Sequence, residues 1–287
     1  MKRRTFLQTS SAAAISLSAF PHHLYAGTTQ KKPSDRILLG PMKVPVTRLA
    51  MGTGTNGAGG SSNQTRKLGY NGVSDLFKAA YDNGVTFWDS ADQYGSHPYL
   101  RTALKTIPRD KVTILSKTHA STASEMKADL DRFRKELGTD YIDILLLHCM
   151  TEGNWPEKKK GAMDVIAEAR EKGIVKTHGT SCHDLGAMRT SMNNPWVQVN
   201  LSRINPAGVH MDADPATIVS VLQGMKAKGQ GVIGMKILGA GRLRNRADEC
   251  LQYALSLDCV DCFTIGSESR AEFEDLAKKI PAASVRG

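Results

Sequence analysis

Short β-rich runs alternate with amphipathic stretches along most of the chain, which is typical of βα units that build a parallel sheet. The units repeat about every 30 residues, with no change of composition and no Pro/Ser-rich linker between them. The 287 residues could form one barrel of roughly 250 residues or two smaller domains. Together these observations predict an α/β protein with a single-domain (β/α)8 TIM-barrel fold. The composition, 40% hydrophobic and 23% charged, excludes disordered and fibrous classes.

Eight strands and eight helices account for this prediction. Runs rich in β-branched residues predict strands at residues 46–51, 85–89, 112–117, 142–148, 176–180, 197–200, 232–237 and 262–265. Apolar residues at a period of about 3.6 predict helices at residues 73–83, 99–106, 124–137, 162–172, 184–192, 215–228, 246–257 and 270–280. Gly84, Gly138, Gly173 and Gly229 each follow a predicted helix, at the position of a C-cap glycine.

The alternative architecture is a doubly wound sheet, in which a glycine-rich turn joins the first strand to a helix. Residues 52–60 follow the first strand and contain a Gly-x-Gly-x-x-Gly match. Residues 61–70 are polar and interrupted by Gly69, so we expect no helix to begin there and no pyrophosphate site at its start. The pattern therefore favours the barrel. Residues 27–43 predict a short hairpin or plug in front of the first strand.

The first 26 residues have the order of an export signal. The adjacent Arg3 and Arg4 precede a short apolar stretch, and Ala26 marks a small-residue cleavage site. This order resembles a twin-arginine signal, which implies that the Tat export machinery binds the precursor and that residues 27–287 are periplasmic or otherwise exported. A Sec leader and a membrane anchor are the alternatives. The apolar stretch is shorter than the about 20 residues that span a bilayer, so we predict no anchor in the mature chain.

The net charge of +10 is partly carried by this leader. The leader holds three of the 38 basic residues and none of the 28 acidic ones, which leaves the mature chain at +7. No nucleic-acid-binding motif accompanies the charge, so we predict a monomer that binds a small molecule and no nucleic acid. The five cysteines form no disulfide framework, and Cys259 and Cys262 lack a second pair with metal-ligand spacing. We therefore predict no metal site.

Titratable side chains stand at the carboxyl ends of three successive predicted strands, where barrels place their reactive groups. Asp89, Lys117 and His148 end or nearly end these strands, and Tyr94 follows shortly after Asp89. The Lys117 ammonium favours phenolate, which predicts a lowered pKa for Tyr94, and Asp89 can keep Lys117 protonated. His148 can orient a carbonyl or take part in the proton transfer. The set predicts proton transfer at a carbonyl or alcohol oxygen.

These four residues lie in the strings Trp-Asp-Ser-Ala-Asp-Gln-Tyr-Gly, Leu-Ser-Lys-Thr and Leu-Leu-Leu-His, which resemble the aldo-keto reductase superfamily. The resemblance extends over residues 36–280. It implies that hydride from NADPH or NADH reduces a small-molecule aldehyde or ketone to an alcohol, with Tyr94 as general acid. The implied catalytic residues are Asp89, Tyr94, Lys117 and His148. We expect Trp155, in the loop after the fourth strand, to line the substrate pocket with Tyr94 and His148.

The same resemblance implies a set of residues that hold the nicotinamide cofactor. They are Gly52, Thr53, Asp89, Ser181, Gln198, Lys236, Leu238, Gly241, Ser267 and Arg270. The chain departs from the family pattern where Cys182 replaces an asparagine and Met235 an aromatic ring, and where Gly266 and Glu272 replace two cations of the phosphate loop. A 2′-phosphate needs cationic donors, which Lys236 and Arg270 can supply. We therefore expect NADPH and leave NADH open.

Two other functions remain open on the sequence alone. A Schiff-base lyase would use Lys117 as its nucleophile, and trapping of a substrate adduct by borohydride would identify it. The lyase explains one strand-end residue, whereas the reductase explains four. A non-catalytic barrel would bind the nucleotide without turnover, and the intact set of four residues argues against it.

Overall fold

A computed structural model describes residues 30–284 of the chain. Eight parallel strands close into a barrel, and a helix follows each of them in sequence. The closed barrel confirms the predicted single-domain (β/α)8 fold. The export signal predicted for residues 1–26 lies outside the described residues.

The elements are numbered in chain order. The strands are β1 (Arg36–Leu39), β2 (Val44–Thr47), β3 (Leu49–Gly52), β4 (Phe87–Asp89), β5 (Thr113–Thr118), β6 (Ile142–Met150), β7 (Val175–Cys182), β8 (Val199–Arg203), β9 (Gly231–Met235) and β10 (Cys262–Ile265). The helices are α1 (Asn63–Asp82), α2 (His97–Ala103), α3 (Ala123–Leu137), α4 (Trp155–Glu171), α5 (Leu185–Asn193), α6 (Pro215–Ala227), α7 (Ala247–Ser256) and α8 (Arg270–Ser284). The barrel runs from β3 to β10, and β10 pairs with β3 to close it.

Successive side chains of each barrel strand point alternately into the barrel and towards the helices, because the period of a strand is two. Phe87, Leu115 and Ile144 belong to the apolar cluster inside the barrel. Their neighbours Trp88 and Ile114 belong to the larger cluster between strands and helices. The inward phase, continued to the carboxyl ends of β4, β5 and β6, places the predicted catalytic side chains in the mouth of the barrel.

An antiparallel hairpin of β1 and β2 closes the amino-terminal end of the barrel. Leu39, Val44 and Val46 of the hairpin pack into the interior apolar cluster. The Thr113 hydroxyl, at the start of β5, donates to the Pro45 carbonyl at 2.6 Å. The hairpin confirms the predicted plug, and it takes up the first two residues of the predicted strand 46–51.

The segment after the glycine-rich stretch is helical, so the expectation of no helix there was wrong. Ser62 caps α1 by accepting from the Thr65 backbone N–H, and the Thr65 hydroxyl accepts from the Ser62 backbone N–H in return. Gly69 kinks the helix with a φ of 62°. The polar first half hid the helix from a periodicity search, since the fully buried apolar residues of α1, such as Val73 and Phe77, lie in its second half.

Across residues 30–284, none of the helices has the length and apolar character that crossing a bilayer requires. Within the same range, no group of three or more His, Cys, Asp or Glu side chains is arranged to hold a metal ion.

Candidate active site

The four predicted catalytic residues come together at the carboxyl mouth of the barrel. Asp89 ends β4, Lys117 lies near the end of β5 and His148 near the end of β6. Tyr94 ends a short helical turn, Asp92–Tyr94, that follows β4. The Tyr94 and His148 rings meet edge to face, with their centroids 5.6 Å apart. Four side chains that are distant in sequence therefore form one site.

A buried ion pair lies at the base of this site. The Lys117 Nζ donates to Asp89 Oδ1 at 2.5 Å and to the Ser90 carbonyl at 2.8 Å, and it lies 4.7 Å from the centroid of the Tyr94 ring. The second carboxylate oxygen of Asp89 accepts from the Thr264 hydroxyl at 2.8 Å. Lys117 is buried. Asp89 therefore holds the ammonium beneath the phenol ring.

The charges and burial of this group keep both Lys117 and Tyr94 protonated. Burial acts to lower the pKa of Lys117, but the Asp89 carboxylate and the Tyr94 phenol outweigh it, so the pKa is raised. Burial raises the pKa of Tyr94 above 10.0, and the opposing effect of Lys117 is smaller. The predicted lowering of the Tyr94 pKa was therefore wrong in sign. At neutral pH the free site holds an ammonium and a neutral phenol, which can donate a proton.

His148 is an uncharged imidazole at neutral pH. Burial lowers its pKa to about 2, and the nearby positive charge of Lys117 acts in the same direction. Its Nδ1 is buried and has no hydrogen-bond partner among residues 30–284. A neutral imidazole can donate or accept a hydrogen bond without a net charge, so His148 is suited to orient a carbonyl oxygen.

The glycine-rich loop between β3 and α1 packs directly on the Tyr94 ring. A Cβ added at Gly54 would lie 2.4 Å from Cε2 of Tyr94, and one added at Gly57 would lie 2.4 Å from its Cδ1. The Gly60 backbone N–H also donates to the Gln93 carbonyl at 3.0 Å. Because Gly54 and Gly57 have no side chains, the loop leaves room for the Tyr94 ring. The sequence motif suggested a comparison only with phosphate-binding turns, and contact with Tyr94 could not be read from spacing.

We expect Gly54→Ala to lower kcat by about 10- to 100-fold, because a ring displaced by about 1 Å no longer places its hydroxyl correctly. Cofactor affinity should change little, so kcat and the dissociation constant of NADPH are measured separately. Gly153→Ala is the matched control, since its added Cβ meets no atom closer than 3.5 Å. An unchanged kcat in Gly54→Ala would show that the loop does not position Tyr94.

Most of the predicted cofactor residues lie at this same end of the barrel. They stand at or beyond the carboxyl ends of β3, β4, β7, β9 and β10 and comprise Gly52, Thr53, Asp89, Ser181, Lys236, Leu238, Gly241, Ser267 and Arg270. The Thr53 hydroxyl donates to the Asp89 carbonyl at 3.0 Å and so ties the ends of β3 and β4 together. Arg270 begins α8 and pairs with Glu274 at 2.7 Å.

Gln198 does not join this set, which corrects its assignment to the cofactor. It precedes β8, at the amino-terminal end of the barrel, where its side chain accepts from the Thr177 hydroxyl at 2.9 Å. Its carbonyl accepts from the Gly231 N–H at 2.9 Å, next to the hairpin. The polar residue that β8 contributes at its carboxyl end is Arg203, which the sequence prediction did not include.

Trp155 is the first residue of α4, so its predicted place in a loop was wrong. The side chain is buried in the apolar core between strands and helices. Its ring lies 6.4 Å from that of Trp196, which stacks on His178 at 4.3 Å. Its contact with substrate stays a prediction.

The mouth fits a nicotinamide and a carbonyl group by the polar atoms that it buries. The Ser181 hydroxyl is fully buried near the end of β7 and has no hydrogen-bond partner among the described residues. The Nδ1 atom of His148 is also buried without a hydrogen-bond partner among these residues. Because buried polar atoms are costly unless hydrogen-bonded, these two atoms suit a carboxamide and a carbonyl oxygen.

The barrel and the four residues at its mouth define the class of this protein. It belongs to the aldo/keto reductase family, whose model matches residues 48–279. This range includes every barrel strand. The family resemblance found in the sequence is thereby confirmed.

Among curated relatives, the chain is similar to D-threo-aldose 1-dehydrogenase of Pseudomonas sp, with 22% identity over 220 residues, 65% of this chain and 66% of the relative. It is also similar to the NAD/NADP-dependent indole-3-acetaldehyde reductase of Schizosaccharomyces pombe, with 34% identity over 113 residues, 38% and 37% of the two chains. The chain thus spans less than two thirds of the length of either relative.

Solved structures share the fold. The holo form of an aldo-keto reductase from Bacillus halodurans superposes with a TM-score of 0.69 at 15% identity, over 86% of this chain and 90% of that one. The glycerol dehydrogenase of Gluconobacter oxydans gives a TM-score of 0.67 at 16% identity, over 88% and 90% of the chains.

Proposed function

We propose that this chain is an NAD(P)H-dependent oxidoreductase that reduces small aldehydes or ketones to alcohols. One observation carries the proposal: the buried Asp89–Lys117 pair lies beneath the Tyr94 ring, beside His148, at the mouth of the barrel. Each of the four groups has a task in moving one proton to a carbonyl oxygen.

A bound dihydronicotinamide supplies the hydride that adds to the carbonyl carbon. The Tyr94 hydroxyl donates its proton to the carbonyl oxygen, because the phenol is protonated at neutral pH. The O–H bond of Tyr94 breaks as that of the alcohol forms, which leaves a phenolate. The Lys117 ammonium stabilises this phenolate, and Asp89 keeps the ammonium in place. His148 orients the carbonyl as an uncharged hydrogen-bond partner.

The state of Lys117 argues against the Schiff-base alternative. A lysine nucleophile must be an unprotonated amine, which proteins obtain by lowering its pKa. The pKa of Lys117 is instead raised, because the Asp89 carboxylate at 2.5 Å outweighs the effect of burial. The amine is therefore held as an ammonium, which suits the reductase.

We propose NADPH as the cofactor, held by the loops after β3, β7, β9 and β10. Ser267 lies in the loop after β10, and its carbonyl accepts from the Gln64 side chain of α1 at 3.3 Å. Lys67 of α1 pairs with Glu268 of that loop, and Arg270 begins α8. Both cations are paired with carboxylates, Lys67 with Glu268 and Arg270 with Glu274, and exchange of either carboxylate for the additional phosphate of NADPH would favour NADPH over NADH.

Titration with NADPH and NADH, followed by fluorescence, tests the cofactor, and oxidation of the bound cofactor by a panel of aldehydes tests the reaction. We expect NADPH to bind at least about tenfold more tightly, since one charge-assisted hydrogen bond is worth about 1.5–3 kcal/mol. Tighter binding of NADH would contradict the cofactor assignment. Binding without turnover on any aldehyde or ketone would favour the non-catalytic barrel.

We further propose that the protein is exported as a folded monomer through the twin-arginine pathway, with its cofactor bound. The adjacent Arg3 and Arg4 motivate this proposal. Exchange of both for lysine should retain the protein in the cytoplasmic fraction. Unchanged export of that variant would contradict it, and gel filtration of the mature chain tests the monomer.

A further inference from the structure

A second polar cluster lies in the barrel mouth, beside the catalytic residues. We call it the Arg203 cluster, and it consists of Arg203, Asp212 and Lys236. Arg203 ends β8 and donates from Nη1 to Asp212 Oδ1 at 3.1 Å. Lys236 directly follows Met235, which pairs with Arg203 in the register of β8 and β9. The mechanism proposed above uses neither Arg203 nor Asp212.

The guanidinium of Arg203 is fixed in place but incompletely paired. Asp212, whose side chain is only 2% exposed, binds this guanidinium. The Arg203 Nε is buried without a hydrogen-bond partner among residues 30–284. A buried donor without a partner is costly, and an arginine edge with free N–H groups matches the two oxygens of a carboxylate.

Lys236 adds a second cation with no ion pair in the described part of the chain. Its φ of 57° lies in the left-handed region, a backbone conformation that residues other than glycine rarely adopt. Burial lowers its pKa, and the positive charges of Arg203 and Lys117 lower it further. Two cations therefore lie near one another in a partly buried position.

The charges of the whole mouth leave a positive excess. Around the cluster, the cations Lys117, Arg203, Lys236 and Arg242 stand against the carboxylates of Asp89, Asp184 and Asp212. The neighbouring His183 adds no charge, because burial lowers its pKa to about 3. One anion would balance the site.

We propose that the Arg203 cluster binds an anionic group of the substrate, so that the preferred substrates are carbonyl compounds that carry a carboxylate. The inference rests on the proposed reductase function and names its substrate class. The positive charge of Lys236 helps to lower the pKa of His148, and the charge of Lys117 helps to lower that of Lys236, so the three side chains are neighbours. A carboxylate bound there would leave the carbonyl of the same molecule near Tyr94. This reassigns Lys236, which the family resemblance gave to the cofactor; cofactor phosphate is the other source of such an anion, and the experiment separates the two.

The test compares the ortho, meta and para carboxybenzaldehydes with their methyl esters, which match them in shape and lack the charge. The readout is the ratio of kcat/KM for acid over ester. We expect the best isomer to favour the acid and Lys236→Met to lower its ratio by about 10- to 100-fold. Lys236→Arg should keep most of the preference because it keeps the charge. Lys105→Met is the control, an exposed lysine between α2 and β5 at the far end of the barrel.

Equal ratios in the wild type and Lys236→Met would overturn the inference. A tenfold loss of NADPH affinity in Lys236→Met with an unchanged ratio would assign the anion to the cofactor and overturn it as well. If no aldehyde is reduced, the proposed function fails, and the subsite is then tested by thermal shift with the para acid and its ester. Stabilisation by the acid alone, lost in Lys236→Met, would support the subsite without the reaction, and equal shifts would overturn it.

Discussion

Tyr94→Phe is expected to slow carbonyl reduction severely and to leave cofactor binding intact. The ring itself should stay in place, because phenylalanine keeps its contacts with Gly54 and Gly57 and its edge-to-face contact with His148. Only the hydroxyl is lost, and this is the proposed proton donor. General acids contribute about 10²- to 10⁴-fold to a rate, so we expect kcat to fall by that factor.

Steady-state oxidation of NADPH with an aldehyde gives kcat, and fluorescence titration gives the dissociation constant. Tyr99→Phe is the matched control, since Tyr99 stacks on Tyr70 with ring centroids 4.1 Å apart and lies in α2, outside the site. Its kcat should equal that of the wild type. A Tyr94→Phe enzyme that retains most of its activity would show that another group donates the proton.

The sequence predicts where the candidate catalytic side chains meet, because local rules place the strand ends that carry three of them. The parallel strands direct Asp89, Lys117 and His148 to one end of the barrel, and the two-residue period puts them on its inner face. Each of these positions depends on the strand that contains it. No contact between distant segments had to be known.

The features that the sequence did not predict depend on such contacts. The net pKa of Tyr94 reflects how deeply the fold buries it, and the loop at Gly54 covers its ring only in three dimensions. Gln198 was assigned to the cofactor by the family resemblance, and only the position of β8 in the barrel shows that this residue lies at the opposite end. The Arg203 cluster requires side chains from the ends of separate strands to meet.

The buried Asp89–Lys117 pair beneath Tyr94 adds little to the stability of the fold, and its proposed role in proton transfer explains why it is present. Lys117 is 1% exposed and Asp89 9% exposed, so both charges have lost their water. Mutual attraction repays such a loss only in part, and an apolar pair of the same volume is often as stable. The Lys117 ammonium is therefore explained by its effect on the Tyr94 ring, whose centroid is 4.7 Å away, and not by a contribution to the stability of the fold.

Lys117→Met should lose both activity and stability. It leaves the Asp89 carboxylate buried without its cation, which is expected to cost about 3–5 kcal/mol in the free energy of unfolding. It also removes the charge that stabilises the Tyr94 phenolate, so we expect kcat to fall by about 10²- to 10³-fold. Denaturant unfolding measures the first effect and steady-state kinetics the second.

The double variant Lys117→Met/Asp89→Asn separates these effects. The introduced asparagine carries no charge and can still accept from the Thr264 hydroxyl, so the double variant should unfold at a higher denaturant concentration than Lys117→Met alone. Its kcat should stay low, because the ammonium is still absent. Loss of the ammonium raises the pKa of Tyr94, and loss of the Asp89 charge lowers it by a smaller amount, so the loss of reductase activity at alkaline pH should move to higher pH. Recovery of kcat together with stability would mean that Lys117 only supports the fold.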